Sequence, residues 1–174
     1  MGKGLIHIYY GDGKGKTTAA LGLALRALGN GYSVILVQFM KTRETGELSA
    51  LARFPALSLI RGKLSFGFSW ELDEEQKARL RGEHDRMFSE ALGAIPKEER
   101  ALLILDEILP AYQKNLIDRA MVVEFLKGRP QAEVVLTGRK ADEKLIQLAD
   151  YVSESRKIKH PFELGIKARA GVEY

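Results

Sequence analysis

The run Gly11-Asp12-Gly13-Lys14-Gly15-Lys16-Thr17-Thr18 stands between an apolar stretch of strand length, Leu5 to Tyr10, and a stretch of helical period, Thr17 to Leu28. Glycines at 11, 13 and 15 open backbone conformations with positive φ, so the chain can curl as it leaves the strand. Successive N–H groups then converge in front of a helix N-terminus, where partial positive charge already favours an anion. A strand, a glycine-lined curl ending in Gly-Lys-Thr-Thr and a helix form the setting of a phosphate-binding loop. Lys16 would neutralise phosphate charge, and the Thr17 hydroxyl can ligate Mg²⁺. A plain glycine turn has no need of Gly-Lys-Thr-Thr at the helix start. The usual loop places its first glycine one residue earlier, where this chain has Tyr10.

Beyond that junction, apolar runs of strand length alternate with helical periods, the pattern of a parallel sheet built from βαβ units. Strands are predicted over Leu5 to Tyr10, Ser33 to Phe39, Leu57 to Arg61, Ala101 to Leu105, Glu133 to Thr137 and Tyr151 to Lys157. Helices are predicted over Thr17 to Leu28, Gly46 to Phe54, Asp73 to Leu92, Val122 to Lys127 and Asp142 to Ala149. The first helix spaces Leu21, Leu25 and Leu28 by four and three, so these leucines are predicted to face the sheet. Gly29-Asn30-Gly31 marks its end, and Asp73 with Gln76 three residues on forms a candidate capping box. The expected fold is α/β, P-loop NTPase-like, with a mostly parallel central sheet and helices on both faces. A chain of 174 residues, 45% hydrophobic, fits one compact domain spanning 1–174.

A second group of candidate residues follows from the same fold. Ala101-Leu102-Leu103-Ile104-Leu105-Asp106-Glu107 is an apolar strand ending in two acids, and the C-terminal ends of strands in open α/β sheets are where ligands bind. Either acid can hold the metal opposite Thr17. Arg139, after the strand ending at Thr137, lies on the same rim, where its planar fork can reach a phosphate. An ordinary turn with a surface arginine has the same spacing. Lys14 either adds a second ammonium to the phosphates or faces solvent. Gly62 to Trp70 is aromatic and glycine-interrupted, and it reads as a loop carrying unusual apolar surface.

Composition closes off several chemistries. Without cysteine there is no disulfide, thiolate metal site or cysteine nucleophile. The N-terminal apolar stretch is too short for a signal-peptide core or membrane span, so a cytoplasmic protein with no membrane partner is expected. Lys plus Arg number 27 against 23 Asp plus Glu, but the basic residues are scattered, and no basic or aromatic strip suited to nucleic acid stands out.

These features establish nucleotide and magnesium binding without saying what is done with the nucleotide. Further motifs carry a resemblance: Gly11 through Ala20, Val37-Gln38-Phe39-Met40-Lys41, Gly67-Phe68-Ser69-Trp70-Glu71, Leu105-Asp106-Glu107, Thr137-Gly138-Arg139, Lys159-His160-Pro161-Phe162 and Gly165 through Tyr174. In this order, and over nearly the whole chain, they resemble the P-loop class of ATP:corrinoid adenosyltransferases, in which the late first glycine also occurs. The resemblance implies that cobalt of cob(I)alamin attacks the ribose 5′ carbon of ATP and that triphosphate leaves. Gly11, Asp12, Gly13, Lys14, Gly15, Lys16, Thr17, Thr18 and Arg139 would bind the nucleotide, with Lys16 acting on the leaving group. Thr17 and Glu107 match the metal ligands, while Phe68 and Trp70 match aromatic residues that displace the corrinoid's lower axial ligand. A homodimer and an electron-donating, flavodoxin-like reductase are implied as well. Another P-loop ATPase or small-molecule kinase is the alternative, and a nucleic-acid motor a more distant one.

Overall fold

The computed structural model describes residues 3–42, 44–64 and 72–173. Six strands form one sheet: β1 (Ile6–Tyr10), β2 (Ser33–Gln38), β3 (Leu57–Arg61), β4 (Ala101–Asp106), β5 (Glu133–Gly138) and β6 (Tyr151–Glu154). Their order is β3-β2-β4-β5-β1-β6 and every pairing is parallel. Around them lie α1 (Lys16–Gly29), α2 (Gly46–Leu51), α3 (Glu74–Gly93), α4 (Ile108–Gln113), α5 (Arg119–Lys127) and α6 (Glu143–Leu148), with a 3₁₀ turn at Pro161–Leu164.

Strand side chains alternate between two cores, as the two-residue period requires. Val34, Leu36, Leu102, Ile104 and Val135 face α1 and α2. Ile35, Val37, Leu103, Leu105, Val134 and Leu136 face the larger core, with Phe88, Leu109 and Leu126 from α3, α4 and α5. Burying each such side chain contributes about 1.5–3 kcal/mol, enough to offset the roughly 1–2 kcal/mol of entropy lost in fixing its backbone. Strand β4 is buried along all six residues, so its end at Asp106 is held by the most enclosed element of the sheet.

The expected face of α1 is corrected by the structure. Ala20, Ala24 and Ala27 are its buried residues, whereas Leu25 is 50% exposed and Leu21 and Leu28 are only partly buried. Alanines let the helix axis approach the sheet closely, and the leucines splay along the flanks. Helix α4 escaped the periodicity because it is one short stretch with Pro110 in its first turn, where the missing N–H costs nothing. Strand β6 stops at Glu154 rather than Lys157. The capping box is present, with Asp73 accepting from the Gln76 N–H and Gln76 accepting from the Asp73 N–H.

Candidate nucleotide site

The glycine curl lies at the C-terminal rim of the sheet, where β1 gives way to α1. Gly11 and Gly15 have φ of 119° and 111°, conformations that an L side chain rarely adopts. At Gly11 a Cβ would also stand 2.3 Å from the Ser155 carbonyl oxygen. The late position of the first glycine has its reason here: β1 stays paired through Tyr10, whose carbonyl accepts from Ser155 N–H at 2.7 Å, and the turn begins one residue on. Gly13 N–H donates to the Ser155 carbonyl at 2.7 Å, and Lys157 N–H to Asp12 Oδ1 at 3.0 Å. That bond chiefly holds the Asp12 carboxyl below its ordinary range. No side chain caps α1 after Gly15, so the first-turn N–H groups are free to serve an anion.

In front of this turn is a cleft of about 290 Å³, lined by residues 12–18 with Glu107, Arg139, His160, Val172 and Glu173. The structure therefore brings together Lys14, Lys16, Thr17, Thr18, Glu107 and Arg139 as expected. Lys16 Nζ donates to the Gly13 carbonyl at 2.6 Å, and burial lowers its pKa. Lys14, the residue with two readings, lines the cleft and pairs with Glu173 at 3.0 Å. Phe68 and Trp70 lie outside the described residues.

Behind the cleft stands Asp106, with no exposure to solvent. Its Oδ1 accepts from Thr17 Oγ1 at 2.9 Å and Thr137 Oγ1 at 2.7 Å. Its Oδ2 accepts from Lys41 Nζ at 2.6 Å and Gln38 Nε2 at 3.2 Å. Strand β5 lies between β1 and β4, which is why Thr137 at its end sits between the glycine curl and Asp106. Thr137 Oγ1 also accepts from Glu107 N–H at 2.9 Å. Glu107 adopts φ 60°, an uncommon conformation for glutamate, and burial pushes its carboxyl above the ordinary range, opposed most by Lys41.

Gln38, Lys41, Thr137, His160 and Glu173 were individually missed as site residues. For Gln38, Lys41 and Thr137 a usable signal existed. They end or follow β2 and β5, at the same rim that singled out Asp106 and Arg139. His160 and Glu173 reach the cleft only through the path of the C-terminal segment. A larger cavity, about 370 Å³, opens at the opposite end of the sheet beside Leu5, Arg26 and Tyr32, away from the glycine curl and both acids of β4.

The chain is 40% identical over 175 residues to a corrinoid adenosyltransferase of Sinorhizobium sp, covering 99% of this chain and 81% of that one. It is 35% identical over 176 residues to the corrinoid adenosyltransferase of Escherichia coli K12, covering 99% and 86%. In fold it is similar to the cytoplasmic domain of EssC, with a TM-score of 0.55 at 16% identity over 96% of this chain and 34% of that one. Residues 2–174 match the model of the family described as ATP:corrinoid adenosyltransferase BtuR/CobO/CobP, and the chain belongs to that family.

Proposed function

We propose that this chain transfers the 5′-deoxyadenosyl group of ATP to the cobalt of a reduced corrinoid, with release of triphosphate. The observation that carries the reading is the cleft itself. Lys14, Lys16, Arg139 and an uncapped helix N-terminus line one cleft, the set of donors a polyphosphate leaving group requires. The electron pair of cobalt(I) forms the carbon–cobalt bond, the C5′–O bond breaks, and its electrons leave on triphosphate. Charge on the leaving oxygen is greatest as that bond breaks, so preorganised donors stabilise the transition state more than bound ATP. A cobalt nucleophile has no proton to lose, and none of the residues described needs to act as a base.

Thr17 Oγ1 donates to Asp106, and Thr17 and Glu107 line the same cleft, so the residues there supply the hard oxygen donor type that suits magnesium. The Gln38 Oε1 atom beside them is a buried acceptor without a partner among the described residues. Thr17 and Glu107 would hold Mg²⁺, which when bound supplies charge neutralisation for the polyphosphate. Gly11, Asp12, Gly13, Gly15 and Thr18 shape the cradle, while Lys16 and Arg139 grip the phosphates. By the family pattern, Phe68 and Trp70 cover the lower face of the corrinoid and keep an axial ligand away, which eases reduction of cobalt(II). The reading also includes residues 1–174 acting as one catalytic unit, a homodimer, a flavodoxin-like electron donor and a cytoplasmic setting. Among the described residues no helix is long and apolar enough to cross a membrane.

Incubation with ATP, Mg²⁺ and chemically reduced cobalamin should give the visible spectrum of an alkylcobalamin together with triphosphate; ADP as the nucleotide product would defeat the reading in favour of a kinase or ATPase. Changing Phe68→Ala and Trp70→Ala together should spare turnover from cob(I)alamin and depress it from cob(II)alamin. Equal loss from both substrates would remove those two residues from the assigned role.

A further inference from the structure

The Asp106 carboxylate is saturated. Thr17, Thr137, Gln38 and Lys41 each donate one hydrogen bond to it, and a carboxylate has about four lone-pair sites. Lys41 Nζ also donates to Thr17 Oγ1 at 3.2 Å. A divalent cation seeking the oxygens of Thr17 and Asp106 thus finds the lone pairs of the carboxylate taken and one of the two on Thr17 Oγ1 engaged by Lys41, and the only charged donor to Asp106 is Lys41.

The backbone holds this lysine in place. Met40, immediately before it, has φ 54°, a conformation that costs a non-glycine residue energy and persists only when its surroundings impose it. Arg61 donates through a guanidinium nitrogen to the Lys41 carbonyl at 3.3 Å, fixing the turn from the β3 side. Two non-glycine residues with positive φ, Met40 and Glu107, therefore flank Asp106 from the ends of β2 and β4. Unlike the carboxylate, the lysine is not sealed in: the Lys41 side chain is 29% exposed and the Asp106 side chain 0%. Its flexible stem gives it a path out toward the cleft.

We propose that Lys41 is a resident counter-ion that holds the divalent-cation position in the nucleotide-free chain and turns onto the polyphosphate when the metal arrives with ATP. This rests on the reading of the cleft as a Mg·ATP site. Without nucleotide, a bare Asp106 would be a buried, uncompensated charge, which is strongly unfavourable. Lys41 removes that cost and also opposes binding of the metal alone. When metal and nucleotide enter together, the metal compensates Asp106 and the released ammonium gains phosphate oxygens. Lys41 is thus a positioning residue that couples metal binding to nucleotide binding.

The test is a titration of nucleotide-free protein with Mn²⁺, followed by electron paramagnetic resonance of the free ion, for the unmodified chain, K41M and K41R. K41M should bind Mn²⁺ at least about tenfold more tightly than the unmodified chain, because a close opposing charge has gone; K41R should stay weak. Inorganic triphosphate added with saturating Mn²⁺, the condition that frees the ammonium, should bind K41M less tightly than the unmodified chain. If K41M does not fold, K41Q, which keeps a neutral donor to Asp106, is read in the same assays with the same expected direction. Unchanged or weaker Mn²⁺ binding in the folded variant overturns the proposal, as does undiminished triphosphate affinity. The readings fail separately, because alkylcobalamin formation by the unmodified chain tests the adenosyl transfer, whatever Lys41 does.

Discussion

Asp106 and Glu173 each hold a lysine at the glycine-lined cleft, Asp106 at 2.6 Å from Lys41 and Glu173 at 3.0 Å from Lys14. Asp106 ends the most enclosed strand and, with no exposure to solvent, shares its charge with three further donors. Glu173 sits near the end of the chain on the open lip of the cleft, bonded also to the Arg169 backbone N–H and guanidinium. Identical chemistry therefore does different work. In low dielectric a broken pair leaves a charge that nothing else solvates, so the inner pair is part of the structure. At the lip, water and salt replace either partner at little cost, so the outer pair is a loose latch.

The largest way to break this contrast is Asp106→Ala. It leaves Lys41 without its counter-ion and Thr17 without its anchor. A loss of about 3–5 kcal/mol is expected in denaturant unfolding, along with loss of adenosyl transfer. A loss under about 1 kcal/mol, the range of exposed pairs, would put the inner pair in the same class as the outer one. Next is Lys16→Ala, which removes a donor from the leaving group. The rate constant at saturating ATP should fall on the order of 10²-fold or more, and a change confined to KM would mean that Lys16 binds ATP and its transition state equally.

Glu173→Gln should act in the opposite direction. By removing a carboxylate that competes for Lys14, it should tighten triphosphate binding by roughly two- to fivefold, within the range of exposed ion pairs. Isothermal titration reads this directly, and weaker binding would show that Glu173 assists the ligand. The smallest effects distinguish salt from pH. Bonds to Arg169 and Lys14 hold the Glu173 carboxyl down to about 2. Its contribution is therefore present above the ordinary glutamate range and is lost only as pH falls through about 2, so near neutrality salt, not acid, should loosen the latch. Acid should act on the core instead. His84 is buried, its Nδ1–H donates to the Leu116 carbonyl at 2.7 Å, and burial lowers its pKa. The unfolded chain takes up a proton below about pH 6.5 that the native imidazole refuses, so stability should fall as pH falls. The melting temperature should drop between about pH 7.5 and about pH 5.5, and His84→Gln should reduce that slope.

Much of this molecule was legible in its sequence because the signals are local. Alternating apolar runs placed the six strands, and Gly11 to Thr18 placed the glycine-lined turn between β1 and α1, since glycine conformations and hydrophobic period act over a few residues. The α1 face was misjudged because the choice between a leucine stripe and an alanine stripe depends on how closely the sheet approaches, which no helix states by itself. Helix α4 was missed because six residues around Pro110 carry no period.

By itself, then, the chain determined that a parallel sheet would present Lys16, Thr17, Asp106 and Arg139 on one rim, since each ends or follows a strand whose apolar character is written into it. Only tertiary structure decided that Lys41 would complete the Asp106 carboxylate and that Glu173 would fold back onto Lys14. Those contacts join residues 65 and 159 positions apart. Their partners are chosen by strand order and by the path of the C-terminal segment, where spacing along the chain carries no information.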